Sequence, residues 1–284
     1  MRLGCCVTFN SFMPETASDE SGSGLTPDDR CSLLKGTLNH IKEAGYDFAE
    51  LTVGTVAGDV TENEYSMIKG VVSEVGLPIV AFNCFIPGSI RVAGPEADPE
   101  VTKEYVEKAL YRVGDLGANV VVFGSGKART IPEGYSCEEG MRQIEEFLAM
   151  ASAVAEENGV KVAIEHLNRG ESNVITSLAD AVELADRLSI SGLGVLADYY
   201  HMHKEGEDLS VLPLASQRLV HAHVADTDRR YPGSRGADIP GFVRALRSGG
   251  YDSTLSVECQ FSNFASEAAK AAEYLRGLLE ALEL

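Results

Sequence analysis

A single-domain (β/α)8 TIM barrel over residues 1–284 is the fold this sequence predicts, and three observations carry it. Short β-branched runs alternate with longer amphipathic stretches about eight times along the chain. The short runs lack strict apolar–polar alternation, the pattern of parallel strands covered on both faces. No linker separates the units, and 284 residues suit one large domain or two modest ones. A doubly wound open sheet is the competing architecture, but the loop after the first run carries no GxGxxG.

In chain order, the spacing predicts strands at Leu3–Val7, Phe48–Val53, Pro78–Asn83, Asn119–Phe123, Lys161–Glu165, Leu193–Asp198, Leu219–Val224 and Thr254–Glu258. Helical stretches fall near 27–44, 61–75, 98–116, 138–158, 176–188, 208–216, 239–249 and 262–282. Thr26-Pro27 reads as an N-cap with proline at the first helical position, and Ser136-Cys137-Glu138-Glu139 as a capping box. Gly45, Gly76, Gly117, Gly159, Gly192 and Gly250 each lie between a helical stretch and the next strand, where a C-terminal cap glycine belongs. The long first loop, Thr8–Ser23, carries Phe9, Phe12, Met13 and a Ser/Gly tail. It reads as a lid over the barrel mouth or as a plain surface loop.

Composition narrows the class further. A chain of this size buries enough apolar surface to fold without disulfides or a structural metal. Lys+Arg number 24 against 43 Asp+Glu, a net charge of −19 that repels phosphodiester backbones and anionic membranes. Neither a nucleic acid nor a membrane is expected as partner, and no run of 18 apolar residues is present to span a bilayer. The opening Met1-Arg2-Leu3-Gly4-Cys5-Cys6-Val7 is too short an apolar run for a signal peptide. The six cysteines, at 5, 6, 31, 84, 137 and 259, show no CxxC, so reduced thiols in a cytoplasmic protein are expected.

Polar residues at the C-terminal strand ends of such a barrel face the active-site mouth. Read that way, the last four strands run into Glu165, Asp198, His223 and Glu258. One charged strand end is commonly no more than the first solvated position. Four in succession, with three carboxylates that repel unless neutralised, point to a divalent cation. Mixed oxygen and nitrogen donors without a thiolate suit Mn2+, Co2+, Mg2+ or a catalytic Zn2+, manganese being the first choice for hard carboxylates.

Glu165-His-Leu-Asn168-Arg169-Gly-Glu171, Asp198-Tyr-Tyr-His201, His221-Ala-His223 with Arg229 six residues on, and Val257-Glu258 together resemble the ketose 3-epimerases (tagatose and psicose/allulose epimerases). These belong to the sugar isomerase/epimerase superfamily with the xylose-isomerase-like barrel. The resemblance covers residues 120–260 in motifs and the rest only in βα rhythm; Ala225-Asp226 stands where those epimerases typically have Gly-Glu. The segment Phe123-Gly-Ser-Gly-Lys-Ala-Arg129 is also similar to a branch called sugar phosphate isomerase/epimerase. What the resemblance implies is a metal-dependent isomerase or epimerase of a ketose or oxo-sugar, phosphorylated or not. Glu165, Asp198, His223 and Glu258 would hold the metal, Glu165 and Glu258 would also form the catalytic acid/base pair, and Glu171, His201 and Arg229 would bind substrate. Relatives often pair as dimers or tetramers, so a homo-oligomer is expected.

The chemistry such a site supplies is loss of a proton beside a carbonyl polarised by the ion, with the enediolate stabilised. Return of the proton to the same carbon from the opposite face is epimerisation, and return to the neighbouring carbon is isomerisation. Departure of a β-substituent instead makes a lyase or dehydratase acting on an oxo-sugar or oxo-glycoside. An abasic-site endonuclease would need more metal-binding histidines and a basic face; a non-catalytic sugar-binding protein would survive loss of the metal. His221 reads as a hydrogen-bonded barrel residue or an outer support of the site, and His203 carries a weaker claim. Gly124-Ser-Gly-Lys127-Ala-Arg129 reads as a tight βα turn, with anion capture as the functional alternative. Glu50 and the Asn83-Cys84-Phe85-Ile86-Pro87-Gly88 segment could line the pocket without carrying a mechanism.

Overall fold

The structure is a computed structural model that describes residues 1–8, 11 and 25–282. Its elements run β1 (Arg2–Val7), α1 (Pro27–Glu43), β2 (Phe48–Thr52), α2 (Glu62–Val75), β3 (Ile79–Asn83), α3 (Pro99–Asp115), β4 (Val120–Phe123), α4 (Gly126–Arg129) and α5 (Cys137–Glu157). They continue β5 (Lys161–Glu165), α6 (Leu178–Leu188), β6 (Leu193–Asp198), α7 (Tyr199–Glu205), α8 (Val211–Ala215), β7 (Leu219–Val224), α9 (Ile239–Ser248), β8 (Thr254–Val257) and α10 (Phe264–Ala281). All eight strands pair in parallel, in chain order, and β8 closes on β1. This is the expected (β/α)8 TIM barrel. The Thr8–Ser23 loop read as a lid lies, apart from Thr8 and Ser11, outside the described residues.

Local signals account for the element boundaries. Thr26 and Asp29 form a reciprocal capping box at the start of α1, with Pro27 in the first turn. Ser136 accepts from the Glu139 N–H as expected, but the Glu139 carboxylate pairs with Arg142 rather than reaching back to the cap. A cation one turn on competes successfully for it. All six glycines between helices and strands have positive φ, from 64° to 93°. Two helices were not foreseen, α4 and α7. Both are short, and α7 starts only because the Asp198 carboxylate accepts the His201 N–H at 3.0 Å. The stretch expected at 208–216 is helical only over Val211–Ala215. Among the described residues no helix is long and apolar enough to cross a membrane.

Register fixes which side chains face inward. Cys6 pairs with Glu50, Glu50 with Ala81, Leu196 with His221 and His223 with Ser256, so these residues share one face of the sheet. On β3 to β6 that inner face is an apolar plug of Ala81, Val120, Val122, Ala163 and Leu196. On β2, β7 and β8 it is polar and fully buried, with Glu50, His221 and Ser256 at 0% exposure. Gly4 makes the floor possible, because a Cβ there would stand 2.1 Å from the Phe48 ring. The other strand faces pack on the helices in the large outer core.

Candidate metal centre

Glu165 and Asp198 end β5 and β6, His223 is the penultimate residue of β7, and Glu258 follows β8 directly. Period-two alternation puts all four on the inner face at the carboxyl end of the barrel. One ligand atom from each lies within 4.8 Å of the others. His223 Nδ1 is 3.4 Å from Glu165 Oε1, 3.7 Å from Asp198 Oδ2 and 3.8 Å from Glu258 Oε2. Both Nδ1 of His223 and Oε1 of Glu165 are buried with no hydrogen-bond partner. Buried polar atoms are rarely left so, and two aimed at one gap fit a cation between them.

The far side of His223 decides its tautomer. Nε2 lies 2.9 Å from Glu50 Oε1, and the same carboxylate takes His221 Nε2 on its other oxygen at 2.8 Å. A carboxylate only accepts, so each Nε2 donates and His223 Nδ1 is the atom free to ligate. Burial would raise Glu50, but the two imidazoles hold it well below the usual carboxylate range. Burial would also discharge His223, but Glu50, Cys6 and Glu258 outweigh it and hold the ring well above its ordinary value. A divalent cation seated at Nδ1 would replace that proton. His221 is further fixed by Thr254 Oγ1 at 2.7 Å and Ser256 Oγ at 3.1 Å, and burial pushes it down. The outer-support reading of His221 describes its place.

The carboxylates are held unequally. Asp198 caps α7 with Oδ1 and leaves Oδ2 toward the gap. Glu258 accepts from Asn83 Nδ2 on Oε1 at 3.2 Å and from Arg229 on Oε2 at 2.6 Å. Burial pushes Glu165 up, reinforced by Glu258 and Asp198 against His223. Burial acts the same way on Glu258, but Arg229 and His223 reverse it and hold that group down. Gly124 is the cradle for Glu165, since a Cβ there would meet Oε2 at 2.0 Å.

Glu171, His201 and Arg229 join the same network. The backbone N–H and side-chain amide of Asn168 lie 3.1 and 2.8 Å from His201 Nδ1. A backbone N–H can only donate, so the imidazole proton sits on Nε2, which is buried without a partner. The Asn168 amide also reaches Glu171 at 2.8 Å, and Glu171 faces Arg229 at 3.3 Å. Arg229 lies over the Tyr200 ring, 4.9 Å from its centroid. Next to these, His166 accepts from the Asp198 N–H at 3.3 Å; burial, with His201 and Arg129 nearby, pushes it down to about 3.

The structure thus brings all seven predicted residues to one rim. It adds Glu50, Asn83, Gly124 and Asn168 as their holders, positions that the sequence marks only as lining or motif residues. The Gly124–Arg129 segment turns at left-handed Ser125 into the single helical turn of α4 rather than forming only a tight turn. Arg129 is fully buried and donates to the carbonyls of Phe123 at 2.9 Å and Ile175 at 3.5 Å, so it is not presented to an anion. Among the described residues, Cys84, Ser125, Ile175, Asp228 and Arg229 are non-glycine residues with positive φ in loops that follow strands. Each costs on the order of 1–3 kcal/mol, strain that is characteristically held at functional rims.

Comparison with known proteins bears on the family and the fold. A model of the xylose isomerase-like TIM barrel family matches residues 38–280. The 3-dehydro-D-guloside 4-epimerase of Escherichia coli K12 is 26% identical over 75% of this chain and 82% of its own. The ketose 3-epimerase of Arthrobacter globiformis is 25% identical over 79% of this chain and 77% of its own. The crystal structure of apo 3-keto-D-glucoside 4-epimerase from E. coli superposes with a TM-score of 0.76 at 21% identity, covering 98% of this chain and 99% of that one.

Proposed function

From the premise that this chain belongs to the xylose isomerase-like TIM barrel family, we propose that it is a divalent-metal-dependent epimerase or isomerase of a ketose or oxo-sugar. The observation that carries this reading is the pair of orphaned buried atoms, His223 Nδ1 and Glu165 Oε1, inside a ring completed by Asp198 and Glu258. Glu165, Asp198, His223 and Glu258 would hold the ion, with Mn2+ first among Mn2+, Co2+, Mg2+ and Zn2+ on donor hardness. When bound, it would polarise a substrate carbonyl and so acidify the adjacent C–H.

The protein's own residues supply the proton transfers. Arg229 and Asn83 hold Glu258 as the ionised partner. Burial and its acidic neighbours push Glu165 up in the absence of an ion, and a bound cation would oppose that push and favour its carboxylate. Glu165 and Glu258, two carboxylates on different strands at one small site, would form the acid/base pair, one taking the α-proton and the other returning it. The Nε2–H of His201 is a preset donor for a sugar oxygen, oriented by Asn168. Arg229 and Glu171 supply a donor and an acceptor for hydroxyl groups.

The test is a screen of keto-sugars, sugar phosphates and oxo-glycosides with Mn2+, read by NMR in D2O. An isomeric product carrying solvent deuterium at the inverted or neighbouring carbon is expected. Release of a fragment would replace this reading with elimination, and turnover without exchange would sink proton abstraction.

A further inference from the structure

We propose that Asp226 is the positioning residue for Arg229: the loop after β7 is wound around its buried carboxylate so that the guanidinium meets Glu258 and Glu171. The inference rests on the reading of Arg229 as a substrate contact. Asp226 is 1% exposed. Its Oδ1 accepts the backbone N–H groups of Thr227 at 2.8 Å and Ala237 at 3.0 Å. Its Oδ2 accepts those of Gly233 at 3.1 Å, Arg235 at 2.9 Å and Gly236 at 3.3 Å. Five main-chain donors from 227 to 237 therefore converge on one side chain, more than the roughly four lone-pair sites of a carboxylate. A segment with no strand to set its path has its shape set from the inside instead.

The winding has one consequence at the rim. The Asp226 N–H donates to Arg230 O at 2.8 Å, and Arg229 O accepts from the Gln260 N–H at 2.7 Å, which ties the loop to the segment after β8. Between those two ties, Asp228 and Arg229 are both left-handed, with φ of 58° and 55°. Aspartate tolerates that backbone but arginine does not adopt it freely, so something outside Arg229 must impose it. What it achieves is the aim of one side chain, which links Glu258 at 2.6 Å and Glu171 at 3.3 Å over the Tyr200 ring. A carboxylate that only shaped a surface loop would have no effect on that pairing.

The test labels the full chain with 15N-arginine and reads guanidinium N–H resonances. A guanidinium held against Glu258 rotates slowly and gives resolved signals, which Arg229→Lys assigns by removing them. Asp226→Asn turns one acceptor oxygen into a donor facing main-chain N–H groups. We expect it to collapse the Arg229 signals while those of the buried Arg112, bound to the Val56 and Val60 carbonyls, persist. Gly236→Ala strains the same winding at φ 82°, where a Cβ meets nothing, and is expected to weaken the Arg229 signals in part. Arg229 signals unchanged in both variants, absent from the native protein, or lost together with those of Arg112, would overturn the proposal; if Asp226→Asn does not fold, Gly236→Ala decides. Turnover separates the two readings. Asp226→Asn should lower kcat/KM ~10–100-fold and have no further effect in the Arg229→Lys background, the non-additivity of residues that act as one. Full activity of Arg229→Lys would instead remove Arg229 as a substrate contact and leave the resonance result standing.

Discussion

The two halves of the barrel do different work. Strands β5 to β8 bring Glu165, Asp198, His223 and Glu258, the four-residue candidate ligand group, to their carboxyl ends. Strands β2 to β4 contribute no ligand at the corresponding places, yet each supplies something that holds one. Glu50 accepts the Nε2–H of His223, Asn83 donates to Glu258, and the missing side chain of Gly124 makes room for Glu165. The first half also covers its outer face with helices tied by pairs such as Asp115 with Tyr65 and Lys69. The lesson is that a site built at strand ends on one side of a closed sheet is aligned from across the barrel, by residues that never need touch substrate.

Four substitutions sharpen or break this division. Glu165→Gln and Glu258→Gln, in the ligand half, should each lower kcat by ~10²–10⁴ with the melting temperature near native. Retention of more than a tenth of native turnover by both would end the acid/base assignment. Gly124→Ala comes next. Its Cβ must displace Glu165, and a reacting group moved by about 1 Å can cost ~10²-fold in rate; native turnover would show that Glu165 is not held by that cradle. Glu50→Gln leaves the ligands in place but offers one histidine N–H an amide instead of an acceptor. Mn2+ affinity, followed by calorimetry on the metal-free protein, should weaken ~10–100-fold. Unchanged affinity would make Glu50 a core residue and nothing more.

The smallest effect belongs to the outer ring of the first half. Hydrogen bonds from Lys69 and Tyr65 hold Asp115 below its ordinary value, against a slight upward pull from burial. A carboxyl lowered on folding stabilises above its unfolded value, and that contribution disappears as pH falls through the folded one. Asp115→Asn should therefore cost under about 1 kcal/mol at neutral pH and nothing at strongly acid pH, where both forms are uncharged. Metal affinity should not move. A shift in Mn2+ binding would show that the outer ring and the rim are coupled after all.

Much of the fold was legible because parallel strands in a barrel are short, β-branched and buried on both faces, and because left-handed glycines mark where helices stop. The seven site residues were legible because their types and spacings form recognisable clusters at strand ends. The holders were not. Glu50 and His223 are 173 residues apart, and no local pattern ties a carboxylate on β2 to an imidazole on β7. Asn168 stood inside a noticed motif, but its bond to His201 depends on α7, a helix of 7 residues nucleated by Asp198.

What the sequence by itself determined was periodicity and chemistry: which segments alternate, which faces are apolar, and which strand ends carry oxygen and nitrogen donors. Only the closed structure decided which nitrogen of His223 is free, which glutamate is held ionised, and where Arg229 points. Those depend on electrostatics and hydrogen bonds between groups brought within 3–4 Å by closure of the sheet, and such distances do not exist until β8 meets β1.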